Sequence, residues 1–214
     1  MSDLLSHRHG QEEWVRRLHQ FWEHNRLQIV VTLALIVVVG GSWGAWVYYN
    51  DHREKAAATD YAELPQQEPE RTEAMRQLAD DYPTTGAGIY ARFQLGRQAY
   101  LQKNYDEALD WYEPLTSLSG KQSLIQLLSQ NNVATIFEAK GDWDRALQIY
   151  QEAAADPNNV TKAYAYYNAG RVSQVLGRGE EAREWFQKAI DNGTGMPVAE
   201  RAAERLLWLD IGSH

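Results

Sequence analysis

The amino-acid sequence predicts an all-α protein in which a single N-terminal transmembrane helix is followed by an α-solenoid of stacked helical hairpins. Three observations lead to this prediction. The stretch from Leu27 to Tyr49 contains no charged side chain. After Asn50, apolar residues recur at helical spacing, and no alternating run rich in valine or isoleucine indicates a strand. Similar segments then recur at intervals of 36 to 38 residues, which is typical of repeat proteins.

These patterns divide the chain into five segments. They are an N-terminal segment with an amphipathic helix at residues 1–26, a transmembrane helix at 27–49, a juxtamembrane helix with a degenerate leading repeat at 50–84, three repeats at 85–195, and a C-terminal capping helix at 196–214. In the first segment, apolar residues fall on one helical face with charges between them. This pattern predicts a short interfacial helix that leads into the membrane.

The predicted transmembrane helix is long enough to cross a bilayer. Its 23 residues, Leu27 to Tyr49, extend about 35 Å as a helix, against roughly 30 Å for the hydrocarbon core. Trp43, Trp46 and Tyr48 lie near its end, where aromatic rings favour the headgroup layer. A cleavable signal peptide is the alternative, but its apolar region spans only about 7–15 residues and is followed by small residues. We therefore expect an uncleaved anchor.

Positive charge around the span predicts its orientation. Four arginines precede it, namely Arg8, Arg16, Arg17 and Arg26. Only Arg53 and Lys55 follow it closely, among acidic residues. Because basic residues are retained on the cytoplasmic side, we expect a cytoplasmic N-terminus. In a bacterium this places a single-pass protein in the inner membrane with its C-terminal domain in the periplasm.

Two glycines of the span have the spacing of a helix-packing motif. Gly40 and Gly44 lie four residues apart, so they share one helical face. Small residues at this spacing let two helices approach closely in lipid, which would pair the span with another membrane protein or a second copy. The alternative is that glycine is simply frequent in membrane helices.

The repeats are recognised by three residues at constant spacing. A marker alanine recurs at Ala108, Ala146 and Ala182; a small residue lies twelve positions before it, at Gly96, Ala134 and Gly170; and an aromatic residue lies four positions after it, at Tyr112, Tyr150 and Phe186. Small residues let two antiparallel helices touch, and the ring fills the space beside the next hairpin. The period is close to the 34 residues of tetratricopeptide repeats. The alternative is a set of unrelated amphipathic helices.

The first helix of each hairpin in such a solenoid lines the concave side. Its conventional groove positions predict a protein-binding site composed of Tyr90, Phe93, Arg97, Tyr100, Asn131, Tyr164, Tyr167 and Arg171. Tyrosine and arginine concentrate binding energy at interfaces, so a peptide or helix is the expected ligand. The alternative is that some rings pack between hairpins, and we expect about half to be partly buried. A well-known groove of this repeat type binds the C-terminal carboxylate of its ligand through a lysine and an asparagine. The corresponding positions here are Phe93 and Arg97, so we do not expect that ligand.

The overall composition and the motifs argue against several functions. Twenty-one basic and 29 acidic residues give a net charge of −8, whereas nucleic-acid binders need a basic face. No cysteine is present to form a disulfide, a thiolate nucleophile or a sulfur ligand to zinc. The glycines at Gly193 and Gly195 lack the lysine of a phosphate-binding loop. His7 and His9 lack a matching acidic cluster. We therefore expect no catalytic, cofactor or metal site.

The layout of the whole chain resembles the YfgM-like family. The resemblance is carried by the segments Glu13–Arg17 and Phe21–Asn25, the span that ends Trp46-Val47-Tyr48-Tyr49-Asn50, the alanine-rich helix from Arg53 to Leu64, and the repeats that follow. It implies an ancillary, non-enzymatic subunit of the bacterial Sec translocon, anchored in the inner membrane and associated with the membrane-anchored periplasmic chaperone PpiD. The alternative is a structural subunit of another inner-membrane assembly, such as a respiratory or envelope-biogenesis complex.

Overall fold

The computed structural model describes residues 3–118 and 123–212, and this part of the chain is helical with no strand. Its α-helices are α1 (Asp3–Ala62), α2 (Glu70–Asp81), α3 (Gly86–Leu101), α4 (Tyr105–Tyr112), α5 (Ser123–Ala139), α6 (Trp143–Ala155), α7 (Lys162–Val175), α8 (Gly179–Asn192) and α9 (Pro197–Gly212). A short 3₁₀ helix, Glu113–Ser117, follows α4 directly. The predicted all-α fold is confirmed. The side chains of His7 and His9 lie outside the described residues.

Helix α1 is continuous where the sequence indicated three consecutive helices. The residue pattern changes from amphipathic to apolar to alanine-rich, but no proline occurs before Pro65 to break the backbone. The part from His19 to Ala62 contains a window that is long and apolar enough to cross a membrane, and none of that window is buried. The chain divides into two compact units, residues 1–53 and 54–214. In the first unit, the Arg53 guanidinium donates to the Tyr49 hydroxyl at 3.3 Å.

The second unit consists of hairpins that stack in chain order. Helices α3 and α4, α5 and α6, and α7 and α8 form three successive antiparallel pairs, with α2 packed against α3 and α9 packed against α8. The turn between the two helices has the same conformation in each pair. Lys103, Gly141 and Gly177 all have a positive φ, and each lies five residues before its marker alanine. The repeat seen in the sequence is therefore also a repeat of backbone geometry.

The small residues before each marker alanine allow the two helices of a hairpin to make close contact. A Cβ added at Gly96 would lie 2.9 Å from the Tyr112 ring, and one added at Gly170 would lie 2.8 Å from the Phe186 ring. Real Cβ atoms essentially never come this close, so both positions require glycine unless the ring moves. The ring of one helix therefore rests directly on the backbone of its partner.

The core extends along the whole stack. Its central part includes Ile89, Tyr112, Ile136, Tyr150 and Val172, which are at most 2% exposed. Separate apolar clusters lie at the N-terminal and C-terminal ends of the stack. Each hairpin therefore buries its apolar face against its neighbours, and the groove residues Phe93 and Tyr100 pack against the central core as well.

Candidate protein-binding groove

The predicted binding residues lie on the first helices of the three hairpins. Tyr90, Phe93, Arg97 and Tyr100 are on α3, Asn131 is on α5, and Tyr164, Tyr167 and Arg171 are on α7. Tyr90, Arg97, Asn131 and Tyr164 are exposed, whereas the other four are partly buried. Half of the predicted set is thus partly buried, as the sequence led us to expect.

One cavity brings together all four predicted residues of the first repeat. Its volume is about 480 Å³, and Tyr90, Phe93, Arg97 and Tyr100 line it. The remaining lining residues are Gln94, Leu101, Tyr112, Asn132 and Thr135. We call it the aromatic cavity, because four rings surround its single arginine. Phe93 meets Tyr112 edge-to-face at 5.4 Å between ring centroids, so these rings are held in place before any ligand arrives.

A second cavity adjoins the aromatic cavity on its N-terminal side. Its volume is about 550 Å³, and it is lined by Tyr61, Arg71, Met75, Gln94, Arg97, Gln98, Leu101 and Gln102. We call it the leading cavity. Gln94, Arg97 and Leu101 line both cavities, so Arg97 lies where they meet. The repeat pattern did not identify Tyr61 of α1, which also lines this cavity. Its ring packs edge-to-face on Tyr90, with 5.6 Å between the ring centroids.

A third cavity holds two of the predicted residues from later repeats. Asn131 and Tyr164 line this space of about 310 Å³, which we call the apolar cavity. Leu127, Leu128 and Ile149 form much of its wall. At its edge the Asn168 side-chain amide donates to Oδ1 of the Asn131 side chain at 3.1 Å, which links the second and third hairpins. Leu127 and Ile149 lie outside the conventional groove positions, and the groove pattern did not identify them.

Arg171 is engaged in a contact between hairpins. Its guanidinium pairs with Glu138 of α5 at 2.5 Å, and the Tyr150 hydroxyl donates to the same carboxylate at 2.7 Å. The Glu138 side chain is only 10% exposed. Burial, together with the nearby Glu138 carboxylate, raises the pKa of Tyr150 well above its usual value. Tyr167 likewise packs on Phe186 at 5.9 Å. Neither Arg171 nor Tyr167 lines the three cavities described above.

Burial also shifts the pKa of one phenol in the aromatic cavity. It raises the pKa of Tyr112 to about 12, so this phenol is neutral at physiological pH. The positive charge of Arg97 lies nearby and opposes the shift. The cavity presents aromatic rings, side-chain amides and one guanidinium to a ligand.

Residues 19–204 match the family model of the tetratricopeptide repeat-like domain. The chain belongs to this family. The match begins inside α1 and extends to α9, so it includes every tetratricopeptide hairpin described above. The protein therefore has a tetratricopeptide-type protein-interaction domain next to a helix that is apolar enough to span a membrane.

Two curated relatives show how far the tetratricopeptide similarity extends. A TPR repeat-containing protein of Treponema pallidum (strain Nichols) is 27% identical over 183 residues, which cover 85% of this chain and 73% of that protein. The photosystem I assembly protein Ycf3 of Prochlorococcus marinus (strain MIT 9211) is 31% identical over 107 residues, which cover 48% of this chain. The matched region spans 61% of the length of that assembly protein.

Two crystal structures share the tetratricopeptide fold. PcrH from Pseudomonas aeruginosa aligns with a TM-score of 0.51 at 18% identity, over 59% of this chain and 94% of PcrH. A putative kinesin light chain with nearly identical TPR-like repeats from Podosopora anserina aligns with a TM-score of 0.51 at 15% identity, over 74% of this chain and 84% of its own. At these identities the likeness establishes the fold alone.

Proposed function

We propose that the protein is a non-enzymatic, membrane-anchored adaptor that holds other proteins on the concave face of its repeats. The observation that carries this proposal is the aromatic cavity, where Tyr90, Phe93, Tyr100 and Tyr112 surround Arg97. Rigid rings lose little rotamer freedom on binding, and a guanidinium adds directional hydrogen bonds. The resemblance of the layout of the chain to the YfgM-like family favours the bacterial Sec translocon and a membrane-anchored periplasmic chaperone as partners.

The membrane span is part of this proposal. We place its N-terminus in the cytoplasm and the repeats in the periplasm, because four arginines precede the span and two basic residues closely follow it. Gly40 and Gly44 would face a neighbouring helix in the membrane. Small residues at this spacing let two helix backbones approach closely in lipid.

Protease accessibility tests the orientation. Protease added to spheroplasts is expected to remove the repeats and to leave a small membrane-bound fragment, because only the C-terminal unit would face the outside. Lysed spheroplasts serve as the control for cleavage of the N-terminal segment. Full protection of the repeats in intact spheroplasts would contradict the proposed topology.

Co-purification tests the proposed partners. The tagged full-length protein, extracted from membranes with a mild detergent, is expected to retain translocon subunits and the chaperone. Tyr90→Ala should weaken this capture by about 1–2 kcal/mol if the ring is a hot spot, since it is 39% exposed and lines the aromatic cavity.

Trp208→Ala is the matched control for Tyr90→Ala. Trp208 is 68% exposed on α9 and lines none of the three cavities, so its removal should leave capture unchanged. Normal capture by Tyr90→Ala and Tyr100→Ala, combined with loss of capture when residues 1–50 are deleted, would move the contacts into the membrane. The groove proposal would then be wrong.

A second candidate function is a scaffold subunit of another inner-membrane complex, respiratory or envelope-building. It is favoured by the relatives named photosystem I assembly proteins, which match about half of this chain. The same co-purification separates the two candidates, because the retained subunits name the complex. Recovery of a respiratory or envelope-building complex without translocon subunits would favour the scaffold.

A further inference from the structure

Arg97 differs from its neighbouring arginines in that its guanidinium makes no hydrogen bond, ion pair or ring contact with the described residues, although its charge acts on the Tyr112 phenol. On α2 to α8 in the part of the chain that the structure describes, every other arginine side chain contacts a carbonyl, a carboxylate or a ring: Arg71 the Pro65 carbonyl, Arg76 Glu107, Arg92 the Ala79 carbonyl, Arg145 the Phe137 ring, Arg171 Glu138, Arg178 Asp144, and Arg183 the Leu209 carbonyl. Arg97 forms no hydrogen bond, ion pair or ring contact there. Its charge is available to a ligand.

The surroundings of Arg97 also lack negative charge. No aspartate or glutamate lines either the aromatic cavity or the leading cavity, although the protein carries 29 acidic residues and a net charge of −8. The lining residues are aromatic, aliphatic or amide-bearing, apart from Met75, Thr135 and the two arginines Arg71 and Arg97. The exposed guanidinium of Arg97 is thus flanked by neutral side chains, and no carboxylate among the cavity-lining residues competes with an acidic ligand for it.

We infer that the aromatic and leading cavities together hold a polypeptide segment that places an internal aspartate or glutamate at Arg97, with aromatic or aliphatic side chains on either side of it. This inference rests on the proposed function of the concave face as a protein-binding surface. A carboxylate matches the guanidinium in charge and accepts two parallel hydrogen bonds from it. The flanking apolar side chains fill the space between the rings of Tyr90, Tyr100 and Tyr61.

The acidic residue is internal because of where Arg97 lies. Arg97 lines two cavities of about 480 and 550 Å³, so there is space for further ligand residues on both sides of its guanidinium. A C-terminal carboxylate bound at Arg97 would leave one of these cavities empty. A segment that runs through both cavities buries apolar side chains on each side of the acid.

Selection from a peptide library tests this inference with the full-length chain in lipid nanodiscs. The probe is a randomised library of 12-residue peptides, acetylated and amidated so that no peptide ends in a carboxylate. Bound peptides are expected to be enriched in Asp and Glu near aromatic or aliphatic residues. Arg97→Gln should weaken binding of the selected peptides about tenfold or more, since a hydrogen bond to a charged group is worth about 1.5–3 kcal/mol.

A charge reversal makes the test specific. Arg97→Glu is expected to replace the preference for acidic peptides by a preference for Lys and Arg, which a general loss of folding does not produce. Arg201→Gln removes an exposed arginine of α9 that lines neither cavity, and should leave the selection unchanged. Circular dichroism of each variant verifies the fold.

Three results would overturn the inference. They are no enrichment of acidic residues with the unmodified chain, an enrichment that survives Arg97→Gln, and binding that appears only when the library carries free C-terminal carboxylates. The proposed function fails separately. If translocon subunits do not co-purify while the acidic selection depends on Arg97, the partner assignment is wrong and the ligand chemistry stands.

Discussion

Replacing Arg171 with methionine is expected to destabilise the repeats by about 3 kcal/mol, because it leaves the Glu138 carboxylate without its cation. Glu138 is 10% exposed and Arg171 is 28% exposed, so water replaces the lost partner poorly. Breaking one half of a buried pair typically costs about 3–5 kcal/mol, and the residual exposure of Arg171 favours the lower end of that range. Thermal and urea denaturation followed by circular dichroism measure the change.

A second substitution, at Glu138, should offset the loss of stability caused by Arg171→Met. Glu138→Gln combined with Arg171→Met removes the isolated charge and should recover much of the loss, which makes a double-mutant cycle informative. Arg178→Met is the matched control, since its pair with Asp144 is 44% and 72% exposed and is worth at most about 1 kcal/mol. Equal losses for Arg171→Met and Arg178→Met would show that burial of the Glu138 pair has no energetic consequence.

Replacing Ala146 with tryptophan is expected to destabilise the protein by about 3 kcal/mol or more, because the indole has no room at this position. Ala146 is 0% exposed and lies in the central core, on the second helix of the middle hairpin. For a unit of this size, a loss of 3 kcal/mol lowers Tm by roughly 6–12 °C. Thermal unfolding of the full-length chain in detergent, followed by circular dichroism, gives the shift.

Ala203→Trp provides the comparison for Ala146→Trp. Ala203 is exposed on α9, so the same indole placed there remains in solvent and should change Tm little. An unchanged Tm for Ala146→Trp would mean that the hairpins do not pack closely at the marker alanine. The predicted role of the marker alanine as a close helix contact would then be wrong.

Arg171 shows the limit of inferring a binding site from repeat positions. The spacing correctly placed Arg171 on α7, but its partner Glu138 lies 33 residues earlier, on a different hairpin. The sequence shows both the glutamate and the arginine, but the distance between them depends on how the hairpins stack. Variants of Tyr90 and Arg97 therefore probe binding more directly than variants of Arg171, which also lose stability.

The fold was predictable because its determinants are local. Gly96 and Tyr112 lie 16 residues apart in one hairpin, and the contact between them needs only two helices and a turn. Tyr61 was not identified because α1 precedes the repeats and carries no repeat position. The continuity of α1 was missed for a different reason: changes in residue pattern do not break a helix, whereas proline does, and the first proline is Pro65.

The order of helix packing has a consequence for how the protein acquires its structure. Almost all packing in the second unit joins helices that follow one another along the chain, from α2 against α3 to α8 against α9. Contacts between residues close in sequence require little loop closure, so such topologies fold rapidly. Each hairpin can be completed as soon as its own residues have left the ribosome or a membrane channel. Only the packing of α9 on α8 requires the C-terminal residues. The earlier hairpins can therefore fold before the whole chain has emerged.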